Sequence, residues 1–349
     1  MKASTPMKER QGGFSLIELM IAVTLGLVIL AALTTFFVQT SANRTEMERN
    51  TRQIENGRYA IDTVRDNTIM AGFYADTAPG VMPAWTTNDA CPANLAGYGF
   101  AIAPAYTAPV PVFGYALGNA APLGCFQNLL LGNDILVIRR FSSESLTPAQ
   151  AAASGMSTHW YLQNSQCAED DPLVPMAVAT GSGPFPLHSV KCGGNLAKVW
   201  RLREQVYYLR SCSICTPAPD GIPTLWLADL EPDGTGIMKH SALVEGIQAL
   251  RFDYGIDNTG DGLPDVWSRC DAATPCNAGN WANVTAIKMY VLSRNLDPSR
   301  DYVDRKTYAM GLTGALGPFN DQFKRHVYTA QFALPNRAGS REPQLSVAP

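Results

Sequence analysis

The stretch QGGFSLIELMIAVTLGLVILAALTTFFVQT, Gln11–Thr40, decides how the rest of the chain is read. It is apolar almost throughout, yet Glu18 stands near its start. From Leu19 to Val38 no residue is charged and no proline interrupts. That run matches the ~20 residues a helix needs to cross ~30 Å of hydrocarbon. Lys2, Lys8 and Arg10 precede it against Glu9. The positive-inside rule then places the N-terminus in the cytoplasm and everything after Thr40 on the far side.

A secretory signal peptide is the rival reading, but its apolar region spans only ~7–15 residues and ends in a small-residue cleavage site. Here the sequence runs on into SANRTEMERNTRQIENGRYAIDTVRDNTIMAGF, with no proline and with Gly57 inside it. Met47, Ile54 and Ile61 recur every seven residues with Val64 beside them, a narrow apolar stripe on a polar helix. The pattern predicts one helix from about Phe14 to about Met70, on the order of 85 Å at ~1.5 Å per residue. Gly72 would stop it.

The 349 residues are enough for a sizeable core. A charged fraction of 16% and a net charge of −3 leave no basic footprint for nucleic acid. Abundant Gly and Pro favour a loop-rich head over a helical bundle. The eight cysteines all follow the apolar segment and fall into neighbouring pairs, Cys91–Cys125, Cys167–Cys192, Cys212–Cys215 and Cys270–Cys276. An even set of this kind points to disulfides and an oxidising compartment such as the periplasm, although eight cysteines allow 105 pairings.

The segment KERQGGFSLIELMIAV, Lys8–Val23, resembles the class III leader and N-terminal helix of type IV pilins and type II secretion pseudopilins. The resemblance implies cleavage by a prepilin peptidase between Gly13 and Phe14, with Phe14 becoming an N-methylated terminus. Losing Lys2, Lys8, Arg10 and Glu9 would take the net charge from −3 to −5. Two later segments, LVEGIQALRFDYGIDNTGDGLPDVW (Leu243–Trp267) and FKRHVYTAQFALPNRAG (Phe323–Gly339), resemble PilW-type minor pilins of the type IVa pilus assembly system. Other minor and major pilins, a tip adhesin and the inner-membrane assembly platform are the partners this implies. The implied location is the inner membrane, with the N-terminus cytoplasmic and the head periplasmic, and on assembly the extracellular pilus tip.

The expected fold is α+β and pilin-like, a long helix packed on an antiparallel β-sheet head with long loops. Residues 1–13 are the leader, 14–40 the transmembrane and assembly helix, and 41–72 its amphipathic continuation. Residues 73–339 form the head, with about 75–185 a candidate insertion, and 340–349 a frayed tail. Asp134–Phe141, Val199–Arg210, Thr224–Leu230, Gly246–Gly255, Val284–Arg294 and Arg325–Leu334 read as strands. Most alternate apolar with polar, which predicts one buried sheet face against the amphipathic half of the helix.

Glu18 carries the sharpest chemical question. A carboxylate deep in lipid costs ~3 kcal/mol even on lenient scales. It either stays hydrated near the interface or pairs with an α-ammonium exposed at Phe14, four residues away on the same helix face. The family resemblance implies that the amine belongs to an adjacent subunit, which makes Glu18 a register device. Ala22 and Gly26 form a small-xxx-small pair that would let helices approach closely.

In DNTGDGLPD, Asp257, Thr259, Asp261, Leu263 through its carbonyl, and Asp265 fall at positions 1, 3, 5, 7 and 9 of an oxygen-ligand calcium loop, with Gly262 at 6. Thr259 is an unusual third ligand, and Ser268 replaces the bidentate glutamate at 12, so any Ca²⁺ site would be weak. The alternative is a polar turn. Cys212 and Cys215 have C-x-x-C spacing but lead into the loop TPAPDGIP, which favours a structural disulfide over a redox or zinc site. His159, His188, His240 and His326 lie far apart, and no P-loop, G-x-S-x-G or H-E-x-x-H is present. A minor pilin without catalytic chemistry is therefore the leading reading. A J-type-like pseudopilin of type II secretion and a membrane-anchored periplasmic enzyme or calcium-dependent adhesin stand as alternatives.

Overall fold

A computed structural model describes residues 13, 15–75, 84–87, 90–91, 95–101, 107–118, 126–153, 155–171, 175–230 and 238–338. The chain divides into two compact units, Met1–Thr51 and Arg52–Pro349. The long helix α1 is Leu16–Thr68, two residues shorter at each end than its pattern predicts. In the first unit the apolar side chains of α1 are uncovered, Leu16 at 78% and Phe37 at 72%. Among the described residues, α1 is the helix long and apolar enough to cross a membrane.

The second unit is rich in strands. After α1 come β1 (Ala84–Thr86), α2 (Leu95–Tyr98), β2 (Thr107–Pro109), β3 (Val112–Tyr115), β4 (Ile135–Leu146) and α3 (Pro148–Ala151). Then follow β5 (Trp160–Asn164), β6 (Met176–Thr180), β7 (Val199–Arg210), β8 (Thr224–Leu230) and β9 (Met238–Glu245). The chain continues through β10 (Ile247–Ile256), β11 (Val266–Ser268), α4 (Ala278–Ala282), β12 (Val284–Arg294), β13 (Tyr308–Ala309), β14 (Ala315–Leu316), β15 (Arg325–Ala333) and α5 (Pro335–Ala338).

Seven strands form one sheet. Its order is β3-β4-β7-β5-β6, with β8 also on β7 and β9 on β8. Four more form a second sheet, β11-β10-β12-β15. All pairings within these two sheets are antiparallel. The chain passes from one sheet to the other between β9 and β10, at Gly246. Its φ of +75° is strained for a residue with a side chain, and a Cβ there would stand 2.7 Å from the Arg294 carbonyl oxygen.

The expectation of one buried sheet face is corrected. β7 is buried along nearly its whole length, as is β10. Both faces of these strands are covered. Ala60 and Val64 of α1 join Val206, Tyr207, Leu209, Leu250, Phe252, Ile287 and Met289 in the main core. Ala151, Tyr161, Phe185 and Val199 form a second cluster, where α3 and the segment around Phe185 cover the seven-stranded sheet. Ala249, Leu292, Tyr308 and Met310 form a third, where β13 covers the four-stranded sheet.

The apolar stripe expected on α1 holds at its C-terminal end, where Val64 is buried and Ile61 packs against the main core, and is corrected at its N-terminal end. Met47 is 70% exposed and Ile54 44%. The buried positions are Gln53, Gly57, Ala60, Val64 and Thr68, spaced by three and four residues as one helix face requires. Most are small because the sheet comes close: a Cβ on Gly57 would collide with the ring of Tyr328. Gln53 donates from Nε2 to the Ser293 carbonyl at 2.9 Å, so even the polar member of the face is satisfied.

Cys167–Cys192, Cys212–Cys215 and Cys270–Cys276 lie at disulfide distance. The expected Cys91–Cys125 pair falls on Cys125, outside the described residues.

Candidate processing and assembly site

Gly13 is exposed, and Phe14 lies outside the described residues. The helix then opens on Ser15-Leu-Ile-Glu18. The Ser15 N–H donates to Oε2 of Glu18 at 2.9 Å, while the Ile17 N–H reaches Ser15 Oγ at 3.4 Å. This is one arm of a capping box, S-x-x-E, with a weak contact for the other. The Glu18 carboxylate thus curls over the helix start, where unpaired N–H groups and the positive dipole end favour an anion. In the sequence Glu18 stands out as a charge that needs a partner. The same four letters, Ser15 to Glu18, also signal a helix N-terminus.

Glu18, Ala22 and Gly26 follow at steps of four and share one side of α1. Nothing lies within 4 Å of where a Gly26 Cβ would stand. The hydroxyls in the apolar segment turn back on their own helix. Thr24 Oγ1 donates to the carbonyls of Met20 and Ile21 at 3.0 and 2.9 Å. Thr34 donates to Leu30 at 2.7 Å, and Thr35 to Ala32 at 2.8 Å. Such bonds meet the rule that polar groups in lipid be satisfied internally.

In the head, charges are organised by paired carboxylates and guanidinium groups. Arg325 is fully buried and donates to Asp304 at 2.8 Å and Asp321 at 2.6 Å. Its hydrogen bond holds the Asp321 carboxyl below the usual range. Asp134 accepts the N–H groups of Leu117 and Phe252 at 2.8 and 2.9 Å, which ties β4 to β10. Arg139 and Glu204 form a second buried ion pair across β4 and β7.

The Asp257–Asp265 loop joins β10 to β11. Asp257 is fully buried, and its carboxylate accepts the N–H groups of Gly260 at 2.6 Å and Gly262 at 3.0 Å. Asp265 accepts those of Asn258 and Thr259 at 2.7 and 2.9 Å, and Asp261 that of Leu263 at 2.8 Å. Each carboxylate is engaged by the backbone of its own loop, the arrangement of nested Asx-turns. Beyond β11 a cavity of about 540 Å³ is lined by Trp267, Arg269, Thr274 and Pro275. Among the described residues, one set of three metal-capable side chains converges, Cys167, Glu169 and Cys192, and its two sulfurs are bonded to each other.

Comparisons with known proteins give two matches on separate parts of the chain. Residues 206–336 match the family model of Type IV Pilus-assembly protein W. Residues 8–34 match the prokaryotic N-terminal methylation motif. Searches of curated proteins and of solved structures return no match. The methylation motif covers Gly13, Glu18, Ala22 and Gly26, and the family match runs from β7 to α5.

Proposed function

With a PilW-like type IV minor pilin as the premise, we propose that the chain acts in the complex that initiates a type IV pilus and remains at or near its tip, where it supports twitching motility and adhesion. The observation that carries this reading is the presence, on one chain, of the methylation motif at 8–34 and the pilus-assembly match at 206–336. In this reading prepilin peptidase cuts between Gly13 and Phe14 and Phe14 is N-methylated. The helix holds the subunit in the inner membrane with the head in the periplasm. On extraction by the assembly platform, Glu18 meets the amine of a neighbouring pilin, and the charge pair sets register in the low dielectric of the helix bundle. The chain supplies interfaces to other minor and major pilins and to a tip adhesin, and performs no catalysis.

Deletion of the gene tests the reading. Loss of surface pili and twitching is the expected result. Normal piliation with blocked exoprotein release would move the chain to type II secretion. A tagged chain should also co-purify other proteins with pilin leaders; recovery of none would favour an adhesin that uses the leader only for export.

A further inference from the structure

Three arginines gather on the face of the seven-stranded sheet that carries Tyr161 and Tyr207. Arg140 of β4 stands directly opposite Arg203 of β7 in the strand register. Arg201 lies two residues along β7, on the same face. Like charges directly opposite one another destabilise a sheet.

Among the described residues, two carboxylates act on these arginines. Asp229 of β8 accepts from Nη2 of Arg203 at 2.9 Å. Glu144, exposed at the end of β4, acts on Arg201. Arg140 has a long 3.4 Å bond from Nη1 to the Phe141 carbonyl. The Nε atoms of Arg140 and Arg203 are buried without a hydrogen-bond partner. Burial first, and then Arg203, lower the pKa of both Arg140 and Arg201. All three side chains are only half-buried, so solvent reaches the cluster.

We propose that this cluster is a docking site for an extended acidic segment of a partner protein, with carboxylates at alternate positions. Arg201 and Arg203 are separated by two residues of strand, about 6.6 Å. Side chains on one face of an extended chain repeat at that same interval. Arg140 and Arg203, about 5 Å apart as a cross-strand pair, can share one carboxylate. Guanidinium forks donate bidentately to carboxylates, and the Arg203–Asp229 contact already places a carboxylate against one of them. With Asp229 on Arg203, an alternating acidic strand would offer separate carboxylates to Arg140 and Arg201. The site stands on the sheet register alone, whether or not the chain enters a pilus.

The test uses the full chain in neutral detergent at low ionic strength, where exposed charges are least screened. The probe is a fluorescein-labelled peptide of alternating glutamate and serine, read by anisotropy. Binding is expected, and it should weaken about tenfold or more in the Arg140→Gln/Arg201→Gln double variant, which keeps the Arg203–Asp229 pair. The melting temperature of that variant should hold or rise, because repulsion is removed. A glutamine-for-glutamate peptide should not bind. The proposal fails if the peptide does not bind at millimolar concentration, if the double variant binds it equally well, or if inorganic phosphate displaces it as effectively as unlabelled peptide does.

Discussion

Gly57 of α1 faces the ring of Tyr328 on β15 so closely that no side chain fits between them. Replacing Gly57 with Ala sets two effects against each other. Helix propensity gains ~1 kcal/mol. Overpacking costs about 1–3 kcal/mol. The second wins because the obstacle is a rigid ring rather than a flexible tip. Gly57→Ala should lower the melting temperature, and adding Tyr328→Ala should recover part of the loss. A Gly57→Ala chain that melts at or above the parent temperature would show that α1 shifts freely on the sheet.

Asp257 anchors its loop through buried N–H groups. Asp257→Ala leaves the donors of Gly260 and Gly262 unpaired, at about 1–3 kcal/mol for each buried group. A clear fall in thermal stability should follow. Calcium would need several oxygens at about 2.3–2.6 Å, and these carboxylates already hold the loop through amide N–H groups. Millimolar Ca²⁺ and its removal by chelator should therefore leave the melting temperature unchanged. An upward shift that Asp257→Ala abolishes would make the loop a metal site.

His240 gives a pH dependence. Arg210 Nε donates to the Tyr208 oxygen at 2.9 Å, so the Tyr208 hydroxyl is left to donate to Nδ1 of His240, 2.8 Å away. That order requires a neutral imidazole. Burial, and then Arg210, lower the His240 pKa below 6.5. The unfolded chain therefore takes up this proton first as the pH falls. Stability should decline from about pH 6.5 down to the folded-state pKa and level off below it. His240→Phe should remove that segment of the curve in chemical denaturation. An unchanged curve would assign the loss to other groups.

Glu18 separates capping from charge. Glu18→Gln retains an oxygen for the Ser15 N–H but loses the negative charge. Both Glu18→Gln and Glu18→Ala should leave cleavage after Gly13 largely intact. If register depends on charge, both should enter sheared pili poorly on immunoblots. Full incorporation of the glutamine variant would leave capping as the role of Glu18.

Long, strongly patterned strands are legible in this chain. Val199–Arg210, Thr224–Leu230 and Val284–Arg294 form at the positions their alternation indicates. Trp160–Asn164 and Met176–Thr180 are not, because each is short and owes its strand to its neighbour in the sheet. Met238–Glu245 is an edge strand with several exposed residues, so hydropathy barely marks it. Of the buried face of α1 only Val64 is marked by hydropathy, and the rest is hidden for the opposite reason. Hydrophobic periodicity favours large side chains at Met47 and Ile54, while close packing selects Gly57 and Ala60. The capping box at Ser15–Glu18 was written in the sequence. The facing arginines were not, since register across β4 and β7 exists only once the strands pair.

The threonines of the apolar segment carry one more consequence. Thr24, Thr34 and Thr35 each spend their hydroxyl proton on their own helix. Exchanging lipid tails for protein neighbours therefore ruptures no hydrogen bond along that stretch, and rotation or sliding against another helix meets no polar obstacle there. The segment is a smooth shaft with a notch at Glu18. If the proposed pairing at Glu18 sets register, position along the segment is fixed at that one place.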